Sequence, residues 1–488
     1  MKFNDITEAM RLEKHDWMLL LFFFLGVSWR IYLSTIYYGW EESDYGNIAM
    51  VHGVWESGFR NYDMNHMPGY YFFSALWLFV LDDSILAAKL TAGSGGALSL
   101  VGAGLLLRRL IGAKAACFGI LFLLIQPEYS LYSASSLREP LYSAFLVWGF
   151  WALLDRKPIA FSILSVLSFS VRFEAPLFLI PIGLIGLRTI KERVLFLLLL
   201  TLGVGAWMTY CYFEYETIAF WSHASSVNIE TGLGEQGEKS SLEWLRAGFA
   251  VVWGLMVEIL PSRVGWGAVL AFFICPFIWK DSKQVLLLWG NSFLILGVWL
   301  GIAFVAQHEV GHNLYWKWLY PIIPFFLLSS SICLWRLTAR FSVQKWLLGG
   351  ILCQSLWVQG RETKRQLELS NQLYRPQVEL AIWVEKNLSP DEMLIFDNIP
   401  ACWINRRPHE YTFHSWFDLP VFGNPEELIL WAQQNQIEWI LFFQEDWTQA
   451  PQKASFFVNG GNFKTKRGTL VEVKSDSHYG WRWYQVSR

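Results

Sequence analysis

The chain has 488 residues, of which 54% are hydrophobic, 17% aromatic and only 16% charged. A water-soluble domain carries about 25% charged residues, so this composition places most of the chain in lipid. With 39 Lys and Arg against 41 Asp and Glu, the net charge of -2 excludes the basic character suited to nucleic acid.

Residues 17–36, WMLLLFFFLGVSWRIYLSTI, are long and apolar enough to cross a bilayer, and Lys2, Arg11 and Lys14 precede them. No small-residue cleavage pattern follows, so an uncleaved first span with a cytoplasmic N-terminus is expected. The next stretch, YYGWEESDYGNIAMVHGVWESG, gathers Glu41, Glu42 and Asp44, with His52, Glu56, Asp63 and His66 close by. Helical spacing there puts Tyr45, Ile48, Ala49 and His52 on one face, which predicts a short interfacial helix holding acids at the water boundary.

Basic clusters recur at Arg108, Arg109 and Lys114; Arg156 and Lys157; Arg188, Lys191 and Arg193; Lys280 and Lys283; and Arg336, Arg340 and Lys345. Excess Lys and Arg mark cytoplasmic loops, so the acidic and aromatic segments between them, 37–66, 127–139, 213–245 and 306–317, are expected outside. That alternation holds only if the short apolar pieces 68–81 and 247–260 lie along the outer surface, since a span needs about 20 residues. About eleven spans then remain, near 17–36, 84–107, 115–127, 140–154, 158–171, 174–187, 194–212, 264–279, 284–305, 318–335 and 345–359. An odd number leaves the C-terminus outside.

After residue 360 the composition turns soluble, dividing the chain into a transmembrane domain, 1–360, and a small extracytoplasmic α/β domain, 361–488. There RETKRQLELSNQLYRPQVELAIWVEKNL reads as helix, DEMLIFD as strand, NPEELILWAQQNQ as helix, IEWILFF as strand, and GTLVEVK with YGWRWYQV as a terminal β pair. No glycine-rich phosphate loop or nucleophile elbow occurs, and a cap or partner-binding role is expected. Cys117, Cys211, Cys275, Cys333, Cys353 and Cys402 show no C-x-x-C spacing and read as packing residues.

Four distant stretches bring charge to the outer interface: Glu41, Glu42, Asp44 and His66; Arg138 and Glu139; Arg172 and Glu174; and His308, Glu309, His312 and Lys317. Transfer of a group from a lipid phosphate uses both signs there. The phosphate leaves readily when cations face it, and the incoming hydroxyl or amine needs one carboxylate base. A glycosidase would instead set two carboxylates in fixed opposition. The string HEVGH matches the zinc pattern H-E-x-x-H, but its glycine and its place between two spans favour substrate or phosphate contact. The motifs require no cofactor, although a divalent metal ion is compatible with the acidic first loop.

The order of these motifs resembles the GT-C superfamily of membrane glycosyltransferases, especially the branch of the protein O-mannosyltransferases and the bacterial aminoarabinose transferase of lipid A. WEESDYGNIA supplies Glu41 and Glu42 at the family's acidic pair, with Tyr45 and Ala49 in step, and NHMPGYYFF supplies Pro68, Tyr70 and Tyr71. Glu139 stands at the acidic position of the second outer loop, Arg172 at a basic position, and Lys317 and Tyr320 in the late basic-aromatic-Pro segment. Glu41 replaces the family's Asp, and His66 its Lys. The resemblance implies a polytopic helical fold in a bacterial inner membrane, a polyprenyl-phosphate-linked sugar donor, inversion at the anomeric carbon, and an acceptor reached from outside. Glu41 or Glu42 would be the base, with Arg138, Arg172, Lys317 and His312 at the departing phosphate. A rival of another class, a transporter or lipid flippase, predicts paired charges in mid-span and helices broken at the midplane.

Overall fold

A computed structural model describes residues 14–37, 47–48, 50–51, 53–54, 67–124, 126–218, 241–306, 320–339, 344–389, 394–396, 413–415, 419–443, 454–456, 461–476 and 481–487. The chain divides into two compact units. One comprises Met1–Tyr37, Phe59–Ser74 and Ala88–Leu367, and the other Tyr38–Gly58, Ala75–Ala87 and Glu368–Arg488.

The first unit is helical. Its elements are α1 (Lys14–Ile36), α2 (Gly69–Leu81) and α3 (Ser84–Ile111), the last two continuing into the second unit, then α4 (Ala113–Leu124) and α5 (Pro127–Leu131). A 3₁₀ turn, Tyr132–Ala134, leads to α6 (Glu139–Leu154), α7 (Pro158–Val171), α8 (Pro176–Gly186) and α9 (Ile190–Tyr215). Then come α10 (Ser241–Gly254), a π-helical turn Leu255–Ile259, α11 (Leu260–Val264), α12 (Trp266–Ile278), α13 (Lys283–Ala306), α14 (Ile322–Thr338) and α15 (Gln344–Asn387), whose residues after Leu367 belong to the second unit.

Local chemistry sets many of these ends. Proline opens α5 and α7 and stands in the first positions of α6 and α8, where its missing N–H is no loss. A reciprocal capping box starts α9: Thr189 accepts from the Glu192 N–H, and the Glu192 carboxylate accepts from the Thr189 N–H.

Among the described residues, five helical segments are long and apolar enough to cross a membrane: Asp16–Ile36, Ser84–Ile111, Ile190–Tyr215, Leu242–Ser262 and Lys283–Val305. Large apolar side chains stand bare on helix faces, Phe213 at 78% and Phe277 at 80% exposure among them. Such surfaces are stable only against hydrocarbon, and the chain is an integral membrane protein. Buried hydroxyls join the helices: Ser74 donates to Thr91 at 3.0 Å, Ser99 pairs with Ser143 at 2.9 Å, and Ser330 donates to the Ala268 carbonyl at 2.8 Å. Where backbones approach closely, glycine is required. A Cβ on Gly95 would lie 2.5 Å from the Leu141 nitrogen, and one on Gly69 would lie 2.7 Å from the Ser170 carbonyl oxygen.

Two elements differ from expectation. The segment expected at 247–260 is one continuous helix from Ser241 to Val264, because Leu242, Trp244 and Leu245 extend its apolar face past Glu243 and Arg246. Pro261, which cannot donate to a helical carbonyl, is accommodated by the π turn just before it. The composition break at residue 360 also falls inside a helix: α15 runs unbroken for 44 residues, about 66 Å.

In the second unit, the described residues within the acidic stretch, 47–48, 50–51 and 53–54, are helical, and Ile48, Val51 and Val54 are buried. Its sheet has the order β2-β1-β3-β6-β5-β4. The strands are β1 (Leu394–Phe396), β2 (Phe413–Ser415), β3 (Trp439–Phe443), β4 (Phe463–Lys464), β5 (Thr469–Asp476) and β6 (Trp481–Ser487). β1 pairs parallel with β2 and β3, while β3–β6, β5–β6 and β4–β5 are antiparallel. Helix α16 (Pro425–Gln434), capped by the Asn424 side chain, buries Leu428, Ile429 and Ala432 in a core with Ile395, Ile440 and Tyr484. The two short strands β2 and β4 had no clear period in the sequence; the others fall where alternation predicts them.

Candidate functional site

Within the first unit, the end of α7 meets the start of α6. Arg172 caps α7 in an extended conformation, its N–H bonded to the Ser168 carbonyl at 3.0 Å, while Glu139 opens α6. Its carboxylate in the first turn is favoured by the helix dipole. The Arg172 guanidinium donates through Nη1 to Glu139 Oε1 at 2.5 Å and through Nε to Glu174 Oε1. All three side chains are largely buried, at 8%, 1% and 11% exposure. Arg138 lies farther away, its Nε 4.0 Å from Glu139 Oε1, and is 23% exposed.

Two arginines face two carboxylates, so the cluster is formally neutral. Burial opposes the Arg172 charge, but the neighbouring Glu174 and Glu139 carboxylates outweigh it and raise its pKa above the ordinary arginine value. Two nitrogens of its fork are already occupied by protein. Arg138 is therefore the more available cation for an incoming anion. Glu139 Oε2, Glu174 Oε2 and the Tyr142 hydroxyl are buried without a hydrogen-bond partner, and the Arg172 guanidinium lies 6.0 Å from the Tyr142 ring centre.

The backbone between α4 and α6 is fixed by tyrosines. The Tyr70 hydroxyl lies 2.7 Å from the Ser136 carbonyl oxygen and 3.0 Å from that of Ala88, tying the start of α2 to this segment. Tyr320, just before α14, stacks on Tyr129 and on Tyr132, with ring centres 5.2 and 5.7 Å apart. The Tyr320 hydroxyl lies 2.8 Å from Ser133 Oγ and donates to the Tyr129 carbonyl at 3.2 Å, the same oxygen that accepts from the Ser133 hydroxyl at 2.7 Å. Arg30 lies over the Tyr129 ring, 5.0 Å from its centre. It is 2% exposed, and Nη1 donates to the Gly26 carbonyl while Nε and Nη2 have no partner.

The structure thus brings together Arg138, Glu139, Arg172 and Glu174 in one cluster and builds Tyr320 into a tyrosine stack. Glu41, Glu42, Asp44, Tyr45, His66, His308, His312 and Lys317 lie outside the described residues. Arg30, Tyr129 and Tyr142 were not singled out in the sequence. The available signal for Arg30 was an arginine within an apolar span, where an ionisable group is costly. Among the described residues no three His, Cys, Asp or Glu side chains gather to hold a metal ion.

No family model matches the chain, and no curated protein matches it in sequence. Solved structures do. ArnT from Cupriavidus metallidurans bound to undecaprenyl phosphate superposes with a TM-score of 0.60 at 12% identity, covering 97% of this chain and 98% of that one. The apo form gives 0.57 at 12% identity, covering 95% and 97%. The oligosaccharyltransferase AglB from Archaeoglobus fulgidus, in complex with an inhibitory peptide and a dolichol-phosphate, overlaps more loosely, at 0.47 and 10% identity over 88% and 69%.

Proposed function

From a chain that has the fold of ArnT, we propose a GT-C type membrane glycosyltransferase that moves a sugar from a polyprenyl-phosphate carrier to an extracytoplasmic acceptor. The observation that carries the reading is the shared fold with a protein bound to undecaprenyl phosphate, over 97% of this chain. The buried cluster of Arg172 with two carboxylates, bordered by Arg138, adds chemistry of the required kind.

In the proposed reaction an acceptor hydroxyl or amine attacks the anomeric carbon from the face opposite the phosphate. Glu41 or Glu42 takes its proton, the bond from the anomeric carbon to the phosphate oxygen breaks with its electron pair on that oxygen, and the configuration inverts. Arg138, Lys317 and His312 neutralise the departing phosphate, and Asp44, Tyr45 and His66 contact the sugar or acceptor. Arg172 belongs to the substrate surface through Glu139, whose orientation it fixes. On this reading about eleven helices cross the membrane and the N-terminus is cytoplasmic, with residues 361–488 as the extracytoplasmic domain.

The test is transfer of radiolabel from a polyprenyl-phosphate sugar in membranes carrying the protein, Glu41→Gln, Glu42→Gln or Arg138→Gln. Removing a general base typically costs about 10²- to 10⁴-fold, so one glutamate variant should lose nearly all transfer. Undiminished label in both glutamate variants would remove the base assignment, and no label with the unaltered protein would remove the activity.

A further inference from the structure

One face of α12 is bare. Trp266, Leu270, Phe273 and Phe277 are all exposed, and their spacing of three or four puts them in one stripe along the helix. From Trp266 to Phe277 the stripe rises about 16 Å, close to half of a hydrocarbon core about 30 Å thick. It therefore offers one leaflet's depth of apolar surface to a neighbouring lipid chain. The stripe ends in charge, because Lys280 stands one turn beyond Phe277.

Three cations gather at that end. The Ser282 N–H donates to the Trp279 carbonyl at 2.9 Å, closing a tight turn after which α13 opens at Lys283. Arg336, in the last turn of α14, lies over the Trp279 ring, 4.2 Å from its centre. A guanidinium stacked on a ring keeps its N–H donors at the edge, where they can still reach an anion. Lys280 and Lys283 are exposed, and among the described residues neither they nor Arg336 meets a carboxylate. Asp281 is the acid of the turn, so three positive charges stand against one negative. Other basic helix ends are neutralised by the protein itself: Arg108 pairs with Asp16, and Arg109 and Lys157 pair with Asp155.

A partner for this corner needs a negative headgroup joined to a long apolar tail, and both parts must meet the protein at one helix end. We propose that the corner formed by the ends of α12 and α14 and the start of α13 binds an anionic membrane phospholipid. Its phosphate diester rests on Lys280, Lys283 and Arg336, and one acyl chain runs along Phe277, Phe273 and Leu270. A zwitterionic lipid brings its own cation to the same place, where the surplus positive charge repels it. The site goes beyond the transferase reading and does not depend on it, sharing no residue with the Arg172 cluster.

The experiment is native mass spectrometry of the full chain in mild detergent, titrated separately with phosphatidylglycerol and phosphatidylcholine. Each cation beside an anionic headgroup is worth roughly fivefold, and Asp281 offsets one of the three, so the unaltered protein should retain phosphatidylglycerol at a concentration lower by roughly 25-fold. Lys280→Gln should cut that preference roughly fivefold, and Lys280→Gln with Lys283→Gln should abolish it. Both lysines are exposed, so the thermal midpoint should be kept. Arg156→Gln, which removes an exposed cation outside the corner, should leave the preference unchanged. Equal retention of both lipids by the unaltered protein, or an unchanged preference in the double variant, overturns the proposal. A loss in Arg156→Gln as large as in Lys280→Gln also overturns it, since the preference would then belong to diffuse surface charge. So does one-for-one displacement of phosphatidylglycerol by undecaprenyl phosphate, which would give the corner to a polyprenyl lipid. None of these readouts involves sugar transfer, so the phospholipid site can fail while the transferase reading stands.

Discussion

Arg172 is stabilised by what surrounds it, and its removal should show this. Arg172→Met leaves the Glu139 and Glu174 carboxylates facing each other with little solvent, and breaking such a buried set costs about 3–5 kcal/mol. Glu174→Gln keeps Glu139 as a partner and should cost clearly less, a contrast that thermal unfolding of the purified protein measures. Tyr320 offers a finer division. Tyr320→Phe loses the hydroxyl's contacts with Ser133 and the Tyr129 carbonyl, about 1 kcal/mol, whereas Tyr320→Ala also loses two ring contacts, about 3–5 kcal/mol in all. At this scale the sequence showed which charges sit at helix ends but not their pairing. Arg172 and Glu139 are 33 positions apart, and only the return of α7 alongside α6 brings them within 2.5 Å.

Helix ends carry their own electrostatics. Asp155, between α6 and α7, receives a 2.7 Å bond from Arg109 at the end of α3 and a 2.8 Å contact from Lys157. Hydrogen bonds from Lys157 and Arg109 hold its carboxyl below the usual aspartate range. A depressed folded-state pKa stabilises above the unfolded value of about 3.9, and that contribution is lost as pH falls through the folded value. Asp155→Asn should therefore lower the thermal midpoint at neutral pH and remove this part of the acid-side decline, while leaving the two proteins alike at the lowest pH. Hydrophobic runs made most helices legible, since burial in lipid demands them. The helix from Ser241 to Val264 was only half legible, because Glu243 and Arg246 interrupt the apolar run in its first turns.

Contacts between sequence-distant residues constrain how the whole chain threads the membrane, because two side chains in contact at helix ends stand on the same side. Tyr70 touches the Ala88 and Ser136 carbonyls, so the chain between them crosses an even number of times, and α2 does not cross if α3 and α4 do. The same parity holds for Arg108 with Asp16. Tyr320 touches Ser133, and α6, α7, α8, α9, α12 and α13 between them already make an even set. If all six cross, the helix from Ser241 to Val264, though long enough to span, lies along or re-enters one surface. With the native cysteines replaced, Ser241→Cys and Ser262→Cys should both react with an impermeant maleimide from the same side; reaction from opposite sides would overturn this threading. The positive-inside pattern suggests that alternation from sequence, while the tyrosine contacts join segments no local pattern could link.

The hydroxyl seams between the membrane helices bear on how the protein responds to cold. Forming Ser74–Thr91 or Ser99–Ser143 in lipid expels no ordered water, so unfolding there carries little change in heat capacity. The sheet's core of Ile395, Ile440 and Leu428 is dehydrated when it forms, and its stability should fade on chilling. Two halves of one polypeptide thus acquire opposite thermal habits, and calorimetry between refrigeration and melting should find curvature arising from the C-terminal half alone.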